Sequence, residues 1–166
     1  MTKEKNNLSS LLIEASEFRK EIQKRQKEFL TKALKIVFET QPEVKGITWV
    51  QYIPSFNDGE PCEFTRGCVY FVCEKENANF EDETGTIRKP DSKTLFEATN
   101  TAGEEINFFG TSFPERYNEN YYFVEDRKFV EILNLAVNIQ DLFGSNVAVF
   151  ITPELEFLTR DYECGY

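Results

Sequence analysis

The chain contains no histidine. That absence removes Ser-His-Asp and Cys-His nucleophilic catalysis, and with them imidazole metal sites of the usual zinc-enzyme kind. Glycine-rich phosphate loops are also missing, since neither G-x4-G-K nor G-x-G-x-x-G occurs. No stretch approaches the ~20 apolar residues that span a bilayer. The start, Met1 to Asn7, is polar and no apolar run of signal-peptide type follows it. No membrane association is expected, and the expected location is the cytoplasm. Cysteine is sparse: Cys62, Cys68, Cys73 and Cys164. Their C-x5-C and C-x4-C spacings lack the C-x2-C knuckle of a structural zinc site, so free and mostly buried thiols are expected. Neither a cofactor nor enzymatic activity is expected.

What is present is aromatic and acidic. Sixteen phenylalanines can supply most of a core in a chain of 166 residues, which is the length of one domain. The net charge of −10 is unevenly spread. Residues 1–45 hold 10 basic and 7 acidic residues, whereas residues 46–166 hold 9 basic and 22 acidic ones. A body so acidic repels phosphate backbones, which argues against direct nucleic-acid binding, and it attracts basic partner surfaces.

Asn7 to Thr40 reads as one long helix. Leu8, Leu11, Leu12, Ala15, Phe18 and Ile22 recur at helical spacing, the stretch from Arg19 to Glu28 is polar, and the stripe resumes at Phe29, Ala33, Ile36 and Val37. Pro42 stops it. A helix of this length is ~50 Å long at 1.5 Å per residue, more than a small domain can cover. Residues 1–45 are therefore expected to project in part, with Leu8, Leu11, Ala15, Phe18 and Ile22 as a candidate homodimer face. Residues 46–166 are expected to form a compact acidic domain.

In that domain Ile47, Trp49, Gln51 and Ile53 share one face of a first strand, and Thr48, Val50 and Tyr52 share the other. Cys62 to Cys73 reads as the second strand. Asp58-Gly59 supplies the turn between them. Glu74 to Glu105 is an acidic excursion, with short strands expected near Thr84 to Lys89 and Lys93 to Thr99. Ile106 to Val124 is rich in Phe, Tyr and Asn and suits either a contact surface or a roof over the core. A second helix, apolar on many sides and so buried, runs from Glu125 or Asp126 to Gly144. Strands at Val147–Ile151 and around Leu155 to Thr159 complete the chain. The order α-β-β-excursion-α-β-β predicts an α+β fold: an antiparallel sheet of about four main strands with its helices on one face.

The run Trp49-x-Gln51-Tyr52-x-Pro54-x-Phe56-Asn57-Asp58-Gly59-x-Pro61-Cys62-x-Phe64 resembles a signature of small tailed-bacteriophage proteins. The resemblance covers some sixteen residues. It implies synthesis in the cytoplasm of an infected bacterium, and it implies no particular reaction. The expected function is that of a non-enzymatic accessory protein that binds and modulates or inhibits a host protein, one that itself binds nucleic acid, with the acidic surface as a DNA-like face. The alternative is a small-ligand-binding or sequestering oligomer. A carboxylate and metal-dependent enzyme built on Asp58 and Glu60 ranks last, because Asn57-Asp58-Gly59 reads more simply as a turn. The candidate interaction residues are Tyr52, Phe56, Asn57, Asp58, Glu60, Tyr117, Glu119 and Tyr121.

Overall fold

The computed structural model describes residues 7–54, 59, 62–78, 80, 84–86, 89–97 and 120–162. Helix α1, Leu8–Thr40, starts at Asn7, whose side chain accepts the Ser10 amide at 2.9 Å. It stops before Pro42, and the Gln41 amide donates back to the Val37 carbonyl at 2.9 Å. Strand β1, Val44–Tyr52, follows, then β2, Thr65–Arg66, and β3, Tyr70–Glu74. Residues 92–97 form the short helix α2. Strand β4 is Tyr121–Val124, helix α3 is Arg127–Ala136 and helix α4 is Ile139–Phe143. Strands β5, Val147–Ile151, and β6, Phe157–Asp161, end the described chain.

All pairings are antiparallel, in the order β4-β3-β1-β5-β6, with β2 continuing the pairing of β1 beyond β3. β1 lies in the middle of the sheet. Its alternation falls as its sequence predicts: Ile47 and Trp49 face the main core with Phe71 and Cys73 of β3 and Val149 and Ile151 of β5. Leu30, Ala33, Leu34 and Val37 of α1, Phe129 and Leu133 of α3 and Ile139 of α4 cover that face. The α+β class with a long first helix and an antiparallel sheet is thus what the chain forms.

Several elements differ from expectation. The second strand breaks in two, because an extra residue around 67–69 shifts the register between the β2 and β3 pairings with β1. Phe64 packs against the main core. The expected strand near residues 93–99 is helix α2, since Asp91 caps it by accepting the Thr94 amide at 2.8 Å. Those hydrogen bonds from Thr94 hold the Asp91 carboxyl below its ordinary value. Near residues 84–89 the described positions, 84–86 and 89, form no strand. Strand β4 emerges where an irregular aromatic segment was expected. α2 also lies on the opposite face from the other helices, where Leu95 packs with Val72, Tyr121 and Phe150.

The second long helix is interrupted at Val137. Asn138 caps a new helix by accepting the Asp141 amide at 3.2 Å, so α3 and α4 are separate segments. α3 buries one side only, and Leu135 on its outer side is 88% exposed. Gly144 ends α4 at φ 90°, as its position after the apolar run predicts.

Two side chains fix this arrangement. Gly46 of β1 lies under Phe150, and a Cβ there would fall inside the buried Phe150 ring. Gly46→Ala should therefore cost about 2 kcal/mol by overpacking, lowering Tm by roughly 4–8 °C in a thermal melt. Phe150→Leu should be less harmful in the Gly46→Ala background than in the wild type. Gln51 is fully buried. Its Oε1 accepts the Trp49 indole N–H at 2.8 Å, and its Nε2 donates to the Ile139 carbonyl at 3.1 Å and to the Gly144 carbonyl. Gln51→Leu keeps the volume and strands those three partners. A loss of about 3 kcal/mol in urea denaturation is expected.

A candidate interaction surface

α1 has two halves with different surroundings. From residue 30 onward, Leu30, Ala33, Leu34 and Val37 are buried under the sheet. Residues 8–22 are exposed at every position. Two tethers hold α1 to the body where the halves meet. The Arg19 guanidinium reaches Asp141 of α4 at 2.8 Å, and Gln26 Oε1 accepts the Asn138 amide at 3.1 Å.

The exposed half is not polar. Leu8 is 80% exposed, Phe18 68% and Leu11 52%, and Leu12, Ile13 and Ile22 are also on the surface. Scattered exposed apolar residues are ordinary, whereas an ordered row of them is a signal. The row here has a period of seven: Leu8, Ala15, Ile22, Phe29 and Ile36 succeed one another at that interval, and Leu11 and Phe18 fill the places three residues after the first two. Phe29 and Ile36, which sequence spacing assigns to the core stripe, are exposed instead. They extend the surface row along the whole helix. A strict seven-residue row drifts slowly around a helix of 3.6 residues per turn, so it stays on one side and suits a supercoiled partner.

Charges flank the row. Glu14, Glu21 and Glu28 line one side, while Arg19 and Gln26 stand on the other. Arg25 interrupts the row after Ile22 and pairs with Glu21 at 3.4 Å. Farther along α1, Lys24, Lys27, Lys32 and Lys35 border a shallow groove, and Lys27 lies over the Phe157 ring at 5.6 Å from its centroid.

Of the residues expected to form a contact surface around the β1–β2 loop and the aromatic segment, Phe56, Asn57, Asp58, Glu60, Tyr117 and Glu119 lie outside the described residues. Gly59 takes φ 84°, a left-handed angle that glycine adopts without strain. Tyr52 is half-buried and packs against Tyr162, the ring centroids 5.7 Å apart and the rings tilted by 46°. Tyr121 is a correction: it is 4% exposed and packs against Phe80 and Val72, because alternation along β4 points it inward and its neighbour Tyr122 outward.

A cleft of about 570 Å³ opens between β2, α3 and α4. Gln26, Phe64, Arg66, Leu133, Asn134 and Ile139 line it. Burial lowers the pKa of the Arg66 guanidinium, which donates to Asn134 Oδ1 at 3.2 Å and pairs with no carboxylate among the described residues.

The thiols divide differently from expectation. Cys73 is buried, but Cys62 and Cys68 are exposed. Among the described residues no three His, Cys, Asp or Glu side chains stand close enough to hold an ion. No helix of the described residues is long and apolar enough to cross a membrane. No family model, no curated protein and no solved structure matches this chain.

Burial, and then the Glu43 charge, push the Cys73 thiol up to about 11. Iodoacetamide at mild pH should therefore label Cys62 and Cys68 first, with Cys73 protected until the protein unfolds, as peptide mass spectrometry will read. Because the folded thiol titrates above its unfolded value of about 8.5, its stabilising contribution is complete below that value. It is lost as pH rises through about 11.

Proposed function

We propose that this chain is a non-enzymatic protein-binding module and that the apolar row of α1 is its contact element. One observation carries the reading: large apolar side chains at a seven-residue interval stand in solvent on a helix that the domain's own core covers only at its C-terminal half. Leaving them in water costs free energy that a partner helix would recover, roughly 1.5–3 kcal/mol for each Leu, Ile or Phe fully covered.

The acidic body adds a second contact element. Residues 46–166 carry 22 acidic against 9 basic residues, which favours a basic, nucleic-acid-binding protein as the target of that surface. The resemblance to phage proteins makes a host protein the proposed target and the bacterial cytoplasm the proposed location.

A second reading has one observation in its favour. Arg66, lining the cleft without a carboxylate partner among the described residues, suits a small anionic ligand. The last turn of α3 borders the same cleft and brings the negative end of its dipole there, which opposes such a ligand. Protein binding is therefore the preferred reading.

The test uses the full chain as bait, wild type beside Phe18→Glu and Ile22→Glu, each checked for unchanged circular dichroism. The wild type should retain a protein, either a differently tagged copy of itself or a partner from the host, through moderate salt. The two variants should lose it. Equal retention by all three baits, or none by any, would remove α1 as the contact element.

A further inference from the structure

We infer that the row on α1 is covered by a second copy of this chain, laid parallel over residues 8–22 as a short two-stranded coiled coil. The inference rests on the protein-binding reading and names its partner. With Leu8 at heptad position a, the a positions are Leu8, Ala15 and Ile22 and the d positions are Leu11 and Phe18. All five are exposed. A row of this period is complementary to itself under a two-fold axis, which is the commonest symmetry of homo-oligomers.

The flanking charges choose the direction. Glu14, Glu21 and Glu28 occupy successive g positions ahead of Lys35, and Leu12, Arg19, Gln26 and Ala33 occupy the e positions. In an antiparallel pair g faces g, so the glutamate rows would oppose each other. In a parallel pair g faces the following e, so Glu14 meets Arg19 of the second copy, and no like charges meet along the flanks. Arg19 is already held at 2.8 Å by Asp141, which fixes its position beside the seam. A guanidinium carries five donors, enough for both carboxylates.

The extent is set by the same row. After Ile22 the next d positions are Arg25 and Lys32, and like charges would meet there in a parallel pair. The seam therefore ends near residue 22, about 22 Å from its start at 1.5 Å per residue. Five layers leave a modest surplus over the cost of association, so the dimer should dissociate on the order of micromolar concentrations.

Sedimentation velocity of the purified full chain over a wide concentration range tests this. The expected result is a reversible monomer–dimer equilibrium that Phe18→Glu abolishes. Glu14→Lys and Arg19→Glu should each weaken the dimer about tenfold or less, as one exposed charge pair permits. The triple variant with Glu14→Lys, Arg19→Glu and Asp141→Lys should recover most of the affinity, because both charge partners of residue 19 are then reversed. A dimer that Phe18→Glu leaves intact, or that Glu14→Lys strengthens, would overturn the inference, the latter by showing an antiparallel pair. A chain monomeric throughout would overturn it too. In that case capture of a different protein by wild-type bait, lost on Phe18→Glu, leaves the protein-binding reading standing, and no capture at all removes both.

Discussion

The side chain of Gln51 joins the layers of this protein. It sits in the central strand, entirely out of water, and its amide is saturated by the Trp49 indole and two carbonyls at either end of α4. A buried amide is tolerated only when its hydrogen bonds are complete, and then it specifies a unique geometry. Here that geometry is the placement of a five-residue helix too short to be stable alone. Trp49 and Phe143 reinforce it with an edge contact at 5.6 Å between ring centroids. Asp141, on the helix so placed, holds Arg19. Gln51 thus helps to position the carboxylate that Arg19 of α1 reaches.

α1 has different surroundings along its two halves. Its C-terminal half turns Leu30, Leu34 and Val37 into the sheet. Its N-terminal half carries leucines and a phenylalanine into solvent. The core row and the exposed row lie on neighbouring sides of the helix and overlap in sequence between Phe29 and Val37. A partner can occupy the second row without displacing the first. Arg19 and Gln26 tie the junction between the halves to α4 and its cap.

Much of the fold was legible because single strong patterns carried it. The unbroken run from Leu8 to Thr40, the alternation from Ile47 to Tyr52 and the apolar block Val147–Ile151 each admitted one reading. What was not legible depended on choices between comparable signals. Tyr121 to Val124 looked like part of an aromatic loop, and only pairing with β3 makes it a strand. The apolar pattern runs straight through Val137, but Asn138 is a better cap than helix-interior residue, and capping prevails. In the exposed row of α1, Leu8, Leu11, Ala15, Phe18 and Ile22 were visible from spacing. Phe29 and Ile36 were not, because a period near 3.6 cannot separate two adjacent apolar rows. The seven-residue interval was the signal that separates them. Nothing in the neighbours of Arg66 along the chain announces the cleft formed by α3 and α4.

Spin labels along the N-terminal half of α1 give the most direct test of the proposed pairing of two copies. Ser9, Ser16 and Gln23 are one heptad apart and lie to one side of the seam. Each would be replaced singly by cysteine after Cys62, Cys68 and Cys164 are changed to serine, with buried Cys73 left in place. Dipolar spectroscopy of the dimer should return nearly the same distance between labels at all three positions, roughly 20–30 Å for helices about 10 Å apart. Distances that change steadily from Ser9 to Gln23, or no short distance at any of them, would contradict the parallel pairing of α1.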